Sequence, residues 1–108
     1  MADEMELYQG DSSDVVSTSV YSAGVLVEDL DGYTGVFSVV EALGEDPLVE
    51  KEMEVVNTAF RVALTPTESE ELAPGEYIGV VEIENTGIGF RKERHVTITV
   101  RKQGYEAA

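Results

Sequence analysis

No cysteine occurs in the 108 residues. That excludes disulfide bridges and thiolate metal sites, and it fits a chain made and kept in a reducing compartment. Tryptophan is missing too, and histidine occurs once, at position 95. A lone histidine with no hydroxyl and acid fixed beside it supplies no nucleophile–base pair, so His95 reads as a surface strand residue. No glycine-rich phosphate loop follows a strand and opens a helix. No apolar run approaches the roughly 18 residues that cross a bilayer. The start, MADEMELYQGD, is acidic where a secretory leader is basic and then apolar. The chain has the length of one domain with one core, read as 1–108 with its ordered part at about 5–102.

Bases are scarce as well, seven against 22 acids, and the net charge is −15. Residues 1–90 hold 20 acids and only two bases, Lys51 and Arg61, a balance of −18. Residues 91–108 hold Arg91, Lys92, Arg94, Arg101 and Lys102 against Glu93 and Glu106, a balance of +3. Such a body repels phosphate backbones and anionic membranes, which argues against nucleic-acid or membrane partners. The acids themselves admit three readings: a solvated surface, a face for a basic partner, or a mimic of DNA. Close pairs such as Glu70-Glu71 follow from abundance and carry no acid–base assignment. Nothing here specifies an enzyme or a cofactor.

What the sequence does have is a period of two. From Arg94 to Arg101 the pattern sends Val96, Ile98 and Val100 one way and His95, Thr97 and Thr99 the other. Residues 76–84 alternate likewise, with Tyr77, Val81 and Ile83 on one side, and Asn85-Thr86-Gly87-Ile88-Gly89 joins the two runs as a hairpin turn. Further strands are expected over 4–8, 15–21, 33–40, 48–56 and 60–64, with Glu50, Glu52 and Glu54 giving the 48–56 strand an acidic solvent face. About seven short strands at this spacing indicate an all-β fold, an immunoglobulin-like antiparallel sandwich.

One stretch breaks the pattern: LTPTESEELAPGEY, residues 64–77. Thr65 suits an N-cap, Pro66 the first helical position and Glu68 the acid of a capping box. Ala73-Pro74-Gly75 then stops the helix, so a short helical turn is expected at 66–72. In a sandwich this is the crossing from one sheet to the other, with Leu72 plugging the end of the core. The spacing Leu72-x-x-Gly75-x-Tyr77 predicts a tyrosine corner, the ring buried and its hydroxyl bonded to the backbone of the 67–72 turn.

Two surface features remain. Glu28-Asp29-Leu30-Asp31-Gly32 opens like a calcium loop, and Asp11-Ser12-Ser13-Asp14 is a second acidic loop. Counted from Asp29, however, the twelfth position that needs a bidentate acid is Val40. An Asp/Gly turn accounts for the same residues, and no metal is assigned. Secondly, Ile78 and Val80 point away from Tyr77 and Val81, while Val36 and Val40 point away from Tyr33, Phe37 and Val39. If the two strands are neighbours, one sheet is apolar on both faces. That leaves an interface stripe or a face covered by the N-terminal segment or a loop.

Together, Tyr8-Gln9-Gly10-Asp11, then Asp29-Leu30-Asp31-Gly32-Tyr33-Thr34-Gly35-Val36-Phe37, then residues 64–77 and the closing hairpin resemble a known group. They are similar to the small immunoglobulin-like accessory proteins and N-terminal modules of tailed-phage virions, including the upper baseplate protein family. The likeness spans roughly 5–101. A baseplate or receptor-side adaptor of that family carries a long extension after the domain, which this sequence does not. The resemblance therefore implies a non-enzymatic decorating or cementing subunit of the capsid, or a tail accessory subunit. It would be made in the host cytoplasm and bound in many copies to virion proteins, with self-association a further possibility. Its contacts are expected at Val36, Val40, Ile78 and Val80 and at a basic edge of Arg91, Lys92 and Arg94. The competing classes are an acidic DNA-mimic inhibitor and a calcium-dependent carbohydrate module, the latter weakened by the missing tryptophan.

Overall fold

A computed structural model describes residues 3–13 and 15–102. Among the described residues lie β1 (Asp3–Tyr8), β2 (Val16–Ser19), β3 (Tyr21–Ser22), β4 (Val25–Leu26), β5 (Thr34–Val40), β6 (Val49–Glu52), β7 (Glu54–Val56), β8 (Ala59–Val62), α1 (Pro66–Glu70), β9 (Gly75–Asn85) and β10 (Phe90–Arg101). A five-stranded sheet runs β1-β10-β9-β5-β6, a three-stranded sheet runs β2-β8-β7, and β3 and β4 form a small hairpin. One hydrophobic cluster, built from Met5 through Val100, fills the space between the sheets. The fold is an all-β, immunoglobulin-like sandwich, as the alternation indicated.

Three details depart from the expectation. The sheet is not wholly antiparallel, because β1 pairs parallel with β10, from Asp3 opposite Val96 to Tyr8 opposite Arg101. The chain leaves β1 for a strand of the other sheet rather than through a hairpin, so no tight turn dictates its direction. Ten strands stand among the described residues where about seven were expected, partly because the run 15–21 is interrupted at Val20, β2 ending at Ser19 and β3 starting at Tyr21. Ala23 and Gly24, both at positive φ, close the β3–β4 hairpin beyond it. Finally, the run 48–56 is two strands in different sheets. β6 pairs with β5 and β7 with β8, and the buried Met53 carries the chain across, its N–H donating to Gly35 O at 2.8 Å. Val55, expected to face inward with Met53, is 49% exposed. Periodicity assigns a side but not a sheet.

The long β9–β10 hairpin pairs Asn85 with Phe90 and continues to Gly75 opposite Val100. Its inward positions Tyr77, Val81, Ile83, Val96, Ile98 and Val100 are all buried. Gly79 shares that side, since a Cβ there would lie 2.9 Å from Phe37 Cε1 and 3.0 Å from Ile98 Cδ1. The glycine is the space into which the Phe37 ring fits.

The helical crossing forms as expected, although α1 ends at Glu70 rather than 72. Glu68 N–H donates to Thr65 Oγ1 at 3.2 Å and Thr65 N–H to Glu68 Oε1 at 2.8 Å, a complete capping box. Burial pushes the Glu68 carboxyl up, but the Thr65 N–H and the Lys51 ammonium outweigh it and hold the group below its ordinary value. Leu72 is buried. The Tyr77 hydroxyl donates to Ala73 O at 2.6 Å, one residue beyond the expected turn. Burial, with the nearby Glu41 charge second, raises the phenol's pKa.

Candidate interaction face

The register of the five-stranded sheet decides which outward side chains are neighbours. Val40 lies opposite Ile78, Ser38 opposite Val80 and Val36 opposite Glu82. On the other flank Ile78 lies opposite Thr97, Val80 opposite His95 and Glu82 opposite Glu93. The four aliphatics singled out in sequence therefore form one patch at the centre of the outer face. It is not fully open: Val40 is only 5% exposed, and Val36, Ile78 and Val80 are half-buried.

The cover comes from the loop 41–48 and not from the N-terminal segment, which is engaged as the edge strand β1. Leu48 N–H donates to Val39 O at 2.8 Å and Glu45 N–H to Ala42 O at 3.1 Å, folding the loop back on the sheet. Leu43 and Pro47 form one wall of a depression of about 480 Å³, and Val36, Val40 and Val80 form its floor. Leu43 itself stays 55% exposed. Half-covered aliphatics beside an exposed leucine make a shallow apolar seat.

Carboxylates ring that seat. Glu50 and Glu52 come from β6, opposite Ser38 and Val36. Glu76, Glu82 and Glu84 come from the outward side of β9, Glu93 from β10, and Glu4 and Glu6 from β1. In sequence these acids are far apart and look scattered, and strand pairing gathers them on one face. Some are matched locally. Arg91 bonds Glu82 at 2.8 Å and lies 3.6 Å from Glu93, His95 Nε2 is 2.7 Å from Glu93 Oε2, and Arg101 Nε is 2.9 Å from Glu6 Oε2. These are exposed pairs of small energy. Glu50, Glu52, Glu76 and Glu84 have no cationic partner among the described residues, so the face keeps a strongly negative rim.

The expected basic edge of Arg91, Lys92 and Arg94 does not form as one surface, because alternation splits it. Arg91 is on the outer face with the glutamates, whereas Lys92 and Arg94 point to the inward side of β10. Arg94 reaches across the sandwich, donating to Thr18 Oγ1 at 2.8 Å and Ser17 O at 3.2 Å on β2.

The calcium-like loop is held by Asp31 N–H donating to Asp29 Oδ1 at 3.0 Å, with Gly32 at φ +85°. That is an Asx turn, the commoner use of such residues. Asp14, in the other acidic loop, lies outside the described residues. Among the described residues no three His, Cys, Asp or Glu side chains are grouped to hold a metal ion. Nor, among the described residues, is any helix long and apolar enough to cross a membrane.

Sequence reasoning missed two residues that fix the lower end of the sandwich. Ser69, fully buried, accepts from Gly10 N–H at 3.0 Å and shares its proton between Asp11 O at 2.7 Å and Pro66 O at 3.0 Å. Lys51, on the inward side of β6, bonds Ala63 O at 2.7 Å and Glu68 Oε1 at 2.9 Å. A single lysine at an apolar phase of the alternation was the available signal for the second. No family model matches the chain, and no curated protein matches it.

Proposed function

We propose that this chain is a non-enzymatic structural subunit of a tailed-phage virion, a capsid decoration or cement protein or a tail accessory subunit. It acts through protein–protein contacts made by the outer face of β5, β9 and β10. The observation that carries the reading is the aliphatic seat of Val36, Val40, Ile78 and Val80 at the centre of a ring of glutamates. A seat of this kind matches a partner surface with an apolar projection surrounded by lysines and arginines. It repels an identical face on a second copy, so self-association, where it occurs, uses another surface. The virion setting comes from the sequence resemblance, and the seat gives that resemblance a place to act.

The test is co-migration of the purified chain with particles at fixed stoichiometry. Replacing Ile78 and Val80 with Thr keeps β-branched residues in the strand while removing apolar area. The double variant is expected to keep its fold and lose the particle. Unchanged binding would reject this face.

The gathering of glutamates on one side also favours a second reading, an inhibitor that imitates a nucleic-acid backbone. It predicts capture of a basic nucleic-acid enzyme that weakens steeply with salt and is indifferent to Ile78 and Val80.

A further inference from the structure

We propose that the cleft between β2 and the inward side of β10 is a binding site for a small aromatic carboxylate, where Lys92 and Arg94 stand over a floor of core aliphatics. The cleft exists because β1 joins β10 in the five-stranded sheet, leaving β2 as an edge and that side of the sandwich open. The opening is a cavity of about 310 Å³, near the lower end of small-molecule sites. Its floor is Val81 and Ile83, both fully buried core residues.

Three features select the ligand class. First, among the described residues none that lines the cavity is acidic, in a protein with 22 acids. Secondly, Lys92 and Arg94 occupy the same side of β10 as the buried Val96, Ile98 and Val100. Lys92 is exposed, so its solvated ammonium is accessible to an anion entering the cavity. Arg94 is tied to Thr18 and Ser17 and forms the end wall, whereas the Lys92 ammonium makes no hydrogen bond or ion pair among the described residues. Thirdly, two aromatic rings flank the space. Phe90 is held by an edge-to-face contact with Tyr33, centroids 5.5 Å apart at 73°, and Tyr21 stands on the opposite strand, half exposed. A ring between these two, with its carboxylate at Lys92, matches every wall. Polyanions such as nucleotides fit poorly, since the body's charge of −15 opposes each added negative charge. The site does not depend on the outer face of the sheet or on the proposed virion role.

The probe is 4-phenylbutanoate, titrated into the full chain and followed by amide chemical shifts. Saturable shifts confined to residues 18–21, 81–83 and 90–94 are expected. The uncharged 4-phenylbutanamide should bind about fivefold more weakly, and Lys92→Gln should weaken the acid by about the same factor, with both differences shrinking in high salt. Tyr21→Ala, at an exposed position, should weaken both probes alike. Shifts that do not saturate or that fall elsewhere would overturn the site. Equal affinity for acid and amide, or no effect of Lys92→Gln, would overturn the anion assignment.

Discussion

The two outer faces of the sandwich rest on the same core and differ in almost everything else. The outward positions of the three-stranded sheet are Ser17 and Ser19 on β2, Ala59 and Arg61 on β8 and Glu54 and Val56 on β7. Apart from the single half-buried Val56 they are small or polar, with opposite charges on neighbouring strands and no aliphatic cluster. On the five-stranded sheet the same alternation yields Val36, Val40, Ile78 and Val80 inside a ring of glutamates. Folding alone asks only for one apolar side per sheet, with polar residues outward on the other. The first face meets that requirement and adds nothing. The second carries aliphatic area that the core does not use, and this excess is the reason the proposed contacts are placed there.

The sharpest way to break this contrast is to exchange the character of the faces one at a time. Ile78→Thr with Val80→Thr should abolish particle binding, while Ser19→Thr with Arg61→Gln on the opposite face should leave it unchanged. Equal losses from both variants would mean that neither face is specialised. Thermal unfolding serves as the control, and both variants should stay within about 1 kcal/mol of the parent.

Core substitutions should behave in the opposite way, lowering stability without touching either surface. Gly79→Ala places a Cβ against the Phe37 ring and should cost about 1–3 kcal/mol of overpacking, read as a lower denaturant midpoint. Tyr77→Phe deletes the donor to Ala73 O and should cost about 1–2 kcal/mol by the same measurement. A change near zero there would remove the tyrosine corner from the list of interactions that hold the sheets together.

The smallest expected effect concerns Glu68 and appears in the pH dependence. Its carboxyl is held below the ordinary value in the folded chain, so the folded state binds fewer protons than the unfolded one. The contribution is therefore complete above the usual glutamate range, about pH 4.3, and is lost as pH falls through the depressed folded value. Glu68→Gln should be less stable by about 0.5–1 kcal/mol at pH 7. The two proteins should converge in strong acid, which a urea midpoint measured from pH 7 to 3 would reveal.

Much of the architecture was legible because local rules act over a few residues. Thr65, Pro66 and Glu68 announce the cap, Gly75 and Tyr77 announce the corner, and alternation over 76–101 announces the long hairpin. What escaped were relations between segments remote in sequence. Nothing within 48–56 says that pairing changes sheet at Met53, because the alternation is continuous across it. Nothing in β1 says that it lies parallel to β10. Ser69 reads as one more polar helix residue, although Gly10 and Asp11 approach it from nearly sixty positions away. The basic run shows the same limit: three residues close in sequence were expected on one edge, and the pleat sends Arg91 to one side and Lys92 and Arg94 to the other.

By itself, then, the sequence determined the class of fold, the capped crossing and the identity of the four aliphatics without a core to fill. Those follow from backbone sterics and from a pleat that repeats every two residues. Only the tertiary structure decided that these aliphatics adjoin, that eight glutamates from four strands surround them, and that a cleft with no acid among its described lining residues opens beside β2. Register and strand order are set by burying the whole core at once, a balance among distant segments that no short stretch of chain encodes.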